Sequence, residues 1–173
     1  MQQLKMVLGA NSASKAMFPQ GYSMRIFKPG DEEAWCMCCI DGELGVLECS
    51  KAQFDKIMTA DPRVKLENIY LLIAPGGNVA GTITYQLGHT DDEAYIHMVG
   101  LEKRYWGQKL SLPLVNYAVN KIFEDSKTCI VLTTDDWRLS GIKTYLNAGF
   151  EPVADSEEAI TRWKNVRERL CQK

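Results

Sequence analysis

The chain has 173 residues and carries 20 Lys and Arg against 22 Asp and Glu, a net charge near −2. That length suits one domain whose core needs no covalent staple, and the charge balance offers no electrostatic footprint for nucleic acid. Apolar residues make up 46% and charged residues 24%, which excludes a disordered chain, and no run of about 18 apolar residues gives a membrane-spanning helix.

The first 21 residues read as a mixed N-terminal extension. Its apolar patch, Met6–Ala10, is too short for a secretory segment. Tyr22–Phe27 alternates as a short strand. Pro29-Gly30 ends it, and Asp31 is placed to cap a helix with Glu32 and Glu33 in its first turn. The body of that helix, Ala34–Ile40, is nearly all apolar and contains Cys36, Cys38 and Cys39. Ser50-Lys-Ala-Gln53 fits a capping box for a second helix that runs to about Thr59 and stops at Asp61-Pro62.

A hairpin follows, Asn68–Ala74 and Val79–Leu87 around Pro75-Gly-Gly-Asn78. After the polar Asp91-Asp92-Glu93, a strand spans Ala94–Leu101. A glycine-containing loop then leads into an amphipathic helix from about Leu110 to Phe123, with Pro113 tolerated in its first turn. Cys129–Thr133 is a short apolar strand. Asp135 or Asp136 is placed to cap the next helix, which carries Leu139, Ile142 and Leu146 on one face and ends at Gly149. The last helix runs from about Ser156 to Leu170, within a C-terminal segment 155–173. The order is β-α-α-β-β-β-α-β-α-α. It predicts one α/β domain over 1–173, with a mixed, mostly antiparallel central sheet, helices on both faces and one parallel βαβ unit.

The six cysteines show no disulfide framework and no secretion signal accompanies them, so reduced thiols and a cytoplasmic setting are expected. The Cys36–Cys39 cluster has no second cysteine pair at zinc-site spacing and is read as core; no metal is expected. Asp91–Glu93 and Asp135-Asp136 are read as loop solvation and helix capping.

Three stretches carry a resemblance. Val99-Gly-Leu-Glu-Lys-Arg-Tyr-Trp-Gly-Gln-Lys-Leu-Ser111 is similar to the strand-loop-helix that holds acetyl-CoA in the GNAT acetyltransferase superfamily. Thr133–Phe150, closing on Tyr145-Leu-Asn-Ala-Gly-Phe150, resembles that family's later strand and helix. The hairpin end Val79-Ala-Gly-Thr82 resembles its lead-in to the cofactor strand. The likeness covers Tyr22 to about Phe150. It implies transfer of an acetyl group from acetyl-CoA to a primary amine of a small molecule or peptide by direct attack. Acetyl-CoA would be a cosubstrate and the amine acceptor is not named by the sequence. Neither nucleic acid nor membrane enters as a partner, and the resemblance leaves room for a homodimer. The alternative is a catalytically impaired module that binds CoA or another ligand as a sensor or partner-binding protein.

The physics of such a site needs backbone more than side chains. A strand leaving its sheet exposes backbone groups that pair with the pantetheine arm, and a helix N-terminus cradles pyrophosphate. By the resemblance, Val99, Gly100, Leu101, Trp106, Gly107, Gln108, Lys109, Leu110, Ser111 and Arg138 would bind the cofactor. The family loop usually reads Arg/Gln-Gly-x-Gly-x-Gly/Ala; here Trp106, Lys109 and Ser111 replace the first, middle-glycine and last positions. Lys109 either crowds the phosphates or supplies a cation to them. Arg138, where the family often has Asn, either reaches a phosphate or solvates the helix start. Tyr145 stands where the family's tyrosine protonates the departing thiolate. His97 is the candidate base, directly or through a bound water, with Tyr95 as an alternative water-positioning group; simple alternation puts His97 on one face with Tyr95, Val99 and Leu101. His89 sits in a loop and is read as solvated. The last helix is expected to replace the family's last strand, which bears on the acceptor pocket and on any dimer interface.

Overall fold

The computed structural model describes residues 2–10, 14–42 and 44–172; residues 1, 11–13 and 173 of the two expected terminal segments lie outside them. Seven strands form one sheet in the order β2-β3-β4-β5-β6-β1-β7. They are β1 (Leu4–Gly9), β2 (Ser23–Ile26), β3 (Val64–Ile73), β4 (Val79–Leu87), β5 (Glu93–Leu101), β6 (Cys129–Thr134) and β7 (Glu151–Pro152). All neighbours are antiparallel except β5 and β6, which run parallel. That pair is the predicted βαβ unit, linked by helix α3 (Ser111–Glu124). The other helices are α1 (Glu32–Cys39), α2 (Lys51–Phe54, continuing as a wide turn over Asp55–Thr59), α4 (Leu139–Asn147) and α5 (Glu157–Cys171).

Two cores lie on opposite faces of the sheet. The larger joins Met6, Leu72, Ile83, Ile96, Leu114, Ile142, Phe150 and Trp163 under α3, α4 and α5. The smaller joins Ile69 and Leu71 to Trp35, Cys36, Cys39, Phe54 and Met58 under α1 and α2. Trp35 and Phe54 belong to this core, and their rings meet edge to face at 5.1 Å. Cys36, Cys38 and Cys39 are buried in the same layer. Desolvation pushes their thiols up, Cys38 to about 12. No group of metal-capable side chains occurs among the described residues.

Two strands depart from the sequence expectation. Residues 4–9, read as extension, form β1, which inserts between β6 and β7. Leu4, Met6 and Leu8 alternate inward and are at most 2% exposed. A short strand, β7, also follows α4 and pairs with β1, so the last helix does not stand in place of a final strand; α5 instead covers the larger core with Trp163 and Val166.

Three expected helix caps also resolve differently. Asp31 holds the N-cap position of α1 without a side-chain cap, because its carboxylate takes a two-point bond from Arg25 at 2.6 and 2.7 Å. Asp135 and Asp136 bind Arg138 and Arg162 instead of capping α4. Ser50 and Ser156 do cap, accepting from the backbone N–H of Gln53 and Ala159. Gly149, at φ +95°, closes α4 with backbone bonds from Gly149 to Leu146 and from Phe150 to Tyr145.

If β1 is an integral core strand, Met6→Ala should lower unfolding free energy by about 2–5 kcal/mol in denaturant melts. A loss within about 0.5 kcal/mol, the range of an ordinary surface change, would mean that the strand is dispensable.

Candidate active site

The site begins with a break in the alternation of β5. Opposite β4, Ile83 pairs with Val99 but Thr84 pairs with His97, leaving Met98 as an extra residue. Met98 has φ +62°, the left-handed region that a side-chain-bearing residue rarely adopts. The bulge inverts the strand's facing. Tyr95 and His97 face α1, whereas Val99 and Leu101 turn to the larger core and Met98 to the smaller one. His97 therefore does not share a face with Val99 and Leu101; the extra residue shifts the period of two by one.

Beyond Tyr95 opposite Val131, β5 and β6 no longer pair. The strands diverge and leave a cleft of about 820 Å³ between them, within the range of small-molecule sites. Of the residues singled out from the sequence, His97, Val99, Gly100, Leu101, Trp106, Gly107, Ser111, Arg138 and Tyr145 border this cleft. Gln108, Lys109 and Leu110 do not. Gln108 accepts from the Tyr22 hydroxyl at 2.7 Å and donates to the Arg104 carbonyl. Leu110 is 1% exposed and fills the larger core. Lys109 is exposed, at φ +58°.

The loop from β5 to α3 is tightly wound. Residues Lys103–Tyr105 make one 3-10 turn, and Gly107 (φ +77°) and Lys109 are both left-handed. Trp106 donates its indole N–H to the Leu101 carbonyl at 2.8 Å, so its ring lies along the strand end. No side chain caps the start of α3, and Pro113 falls within the first turn, where its missing N–H costs no helix bond. An uncapped helix start and an open loop glycine, whose added Cβ would touch nothing within 4 Å, fit a phosphate-bearing ligand. Gly100 has another origin. A Cβ there would come within 2.5 Å of the Cys38 carbonyl, so the glycine lets α1 press onto β5.

A hydrogen-bonded chain crosses the cleft floor. Tyr95 bonds to Thr133, Thr133 donates to Gln3 at 2.8 Å, and Gln3 donates to Asp135 at 3.2 Å. Asp135 accepts from Arg138 at 2.9 Å, and Arg138 donates to the Gly42 carbonyl at 2.7 Å while lying 4.2 Å over the Trp137 ring. Arg138 thus ties the α1–α2 connection to the start of α4. Thr133, Gln3, Asp135, Trp137 and Met98 were not legible as site residues. Only Asp135 carried a sequence signal, and it pointed to capping.

The profile of the Acetyltransferase (GNAT) family matches residues 46–150, more than half of the chain. The chain belongs to the GNAT acetyltransferase family. Among solved structures, the GCN5-related N-acetyltransferase from Sphaerobacter thermophilus superposes with a TM-score of 0.71 at 21% identity, over 87% of this chain and 48% of that one. A GCN5-related N-acetyltransferase from Kribbella flavida gives 0.60 at 17%, over 88% and 55%. The ribosomal-protein-S18-alanine N-acetyltransferase from Escherichia coli gives 0.60 at 16%, over 77% and 79%. This chain spans about half the length of the first two. At such identities the likeness is one of fold. A search of curated proteins finds no match.

Two titratable groups of this GNAT domain line the cleft with shifted protonation equilibria. Desolvation pushes the Tyr145 phenol up to about 12, partly offset by the Arg138 guanidinium, and its ring packs edge to face on Phe150 at 6.1 Å. His97 is shifted down, mainly by desolvation and further by Arg63, against an opposing pull from Asp61. Burial disfavours the imidazolium, so the ring is neutral at pH 7.

In a histidine NMR titration with His89 replaced, His97 should show a midpoint below the ~6.5 of a free imidazole. Asp61→Asn removes the one group that raises it and should move the midpoint lower still. A midpoint above that of free imidazole would contradict this electrostatic picture.

Proposed function

We propose that this GNAT domain transfers an acetyl group from acetyl-CoA to a primary amine of a small molecule or peptide. The observation that carries the reading is the divergence of β5 and β6 beside the uncapped start of α3. The split offers an unpaired strand edge for an amide-bearing arm, and the loop 102–110 offers a helix N-terminus to its phosphates. The bulged backbone at Met98 is the place for an N–H to polarise the thioester carbonyl. His97, neutral, takes the acceptor's proton directly or through a water, and Tyr145, protonated, supplies one to the departing sulfur.

The acceptor end is framed by Asp41, Leu44, Tyr95 and Trp137. The six free cysteines suit a reducing, cytoplasmic setting, and among the described residues no helix is long and apolar enough to cross a membrane. A second reading, a module that binds CoA without turnover, draws on the altered loop, where Trp106 and a strained Lys109 replace the family's usual residues.

Calorimetry with acetyl-CoA, against desulfo-CoA and pantetheine, tests the cofactor step; micromolar binding is expected. Absence of heat at millimolar acetyl-CoA would remove the cofactor reading. Tyr145→Phe should then cut turnover in an amine screen by ~10²–10⁴, with acetyl-CoA affinity retained. Binding without any turnover by the native chain would favour the sensor module.

A further inference from the structure

Behind His97 lies a pair of buried polar groups that the reaction as described does not use. On β4, Thr84 pairs directly with His97 and Gln86 with Tyr95. Directly opposed residues of an antiparallel pair share a face, with Cβ atoms about 4.5–5.5 Å apart. All four side chains thus lie on the α1 side of the sheet. Thr84 is 0% and Gln86 3% exposed. Thr84 Oγ1 and Gln86 Oε1 are both buried without a hydrogen-bond partner. One orphaned oxygen costs about 1–3 kcal/mol, and two neighbouring ones on a single face are a recurrent setting for a bound water, which takes two to four polar partners.

Apolar residues would serve the smaller core better at both positions. Ile69, which pairs with Thr84 from β3, is fully buried aliphatic surface. The hydroxyl and the amide stand where a cleft-lining imidazole is the nearest polar neighbour in register.

Resting on the reading of His97 as the base, we propose that Thr84 and Gln86 are positioning residues. They hold one ring nitrogen of His97 through a buried water, so that the other nitrogen presents its lone pair to the cleft. Neutral imidazole has one protonated and one bare nitrogen, and the partner of the first decides which nitrogen is bare. The charged groups acting on the ring are Asp61 and Arg63. Cys38 on α1 is held protonated by burial, and Tyr95, Asp41 and Tyr145 face the cleft. None of these assigns the tautomer as the Thr84–His97 register does.

The test is long-range proton–nitrogen NMR of full-length, nitrogen-labelled protein carrying His89→Gln, at a pH where His97 is neutral. The unaltered Thr84 and Gln86 should give a single His97 tautomer. Thr84→Val, close to isosteric, should give mixed tautomers and a displaced titration midpoint, and Thr84→Ser should restore both. In turnover, Thr84→Val should lower kcat by at least about tenfold, with the KM for acetyl-CoA unchanged and kcat rescued by Thr84→Ser. Gln86→Leu gives an independent readout should Thr84→Val fail to fold. An unchanged tautomer and midpoint in Thr84→Val or Gln86→Leu overturns the proposal whatever the activity. Full turnover in His97→Gln would instead overturn the base assignment, a failure distinguishable because the tautomer of His97 is read without any substrate.

Discussion

The extra residue at Met98 is the constraint on which the rest of this structure depends. A non-glycine residue in the left-handed region costs about 1–3 kcal/mol and persists only where its surroundings over-determine it. Here they do so from both faces. On one side α1 presses onto β5 through Gly100, where no Cβ would fit. On the other, Val99 and Leu101 are drawn into the core beneath α3. With side chains anchored in opposite cores, the strand has one more residue than the register of β4 accommodates. The surplus is expelled at Met98, and beyond the last paired residues β5 parts from β6. The cleft follows from packing on two faces rather than from any residue inside it.

The same parting fixes how the cleft is closed at its far end. The polar side chains on the floor of the split need partners of their own. The run from Tyr95 through Thr133, Gln3 and Asp135 to Arg138 supplies them across three separate segments of chain. Gln3 takes part only because β1 lies beside β6, with Leu4 opposite Thr134. The N-terminal strand therefore serves two ends at once. Its inward side chains complete the larger core, and Gln3, just before it, completes the cleft floor.

The local signals in the sequence survive in the structure where one element answers to one signal. The strand Val79–Leu87 matches residue for residue, α3 is displaced by a single residue, and Gly149 terminates α4 as its position implied. Each rests on periodicity or on a turn requirement that neighbours within a few residues enforce. What escaped depends on partners distant in sequence. Leu4–Gly9 alternates too briefly to announce a strand until β6 and β7 flank it. Asp31, Asp135 and Asp136 sit at helix starts and read as caps, but an arginine reaches each one first. A charge-assisted bond, two-point at Asp31 and single at Asp135 and Asp136, outweighs a backbone cap. The bulge had no local signature whatever, since methionine is not a residue that left-handed backbone selects. For the candidate site, nine of the residues drawn from the family resemblance border one cleft, while the side chains of Gln108, Lys109 and Leu110 lie outside it, Gln108 bonding Tyr22 and Leu110 filling the core.

One property of the cleft acts in opposite directions on its phenol and its imidazole. Removing water from an ionisable group disfavours whichever form is charged. For a phenol that form is the deprotonated one, so Tyr145 is pushed up and keeps its proton. For an imidazole it is the protonated one, so His97 is pushed down and keeps its lone pair. A single desolvated environment thus keeps one group protonated and the other unprotonated, the pairing that the proposed reaction requires, without a dedicated carboxylate for either. Arg138 and Asp61 pull each group modestly back towards neutrality of pH, and proton transfer is most effective when donor and acceptor lie close to the working range. Under the proposed function, the protonation states the reaction needs are then a by-product of burial in the cleft left where β5 and β6 separate.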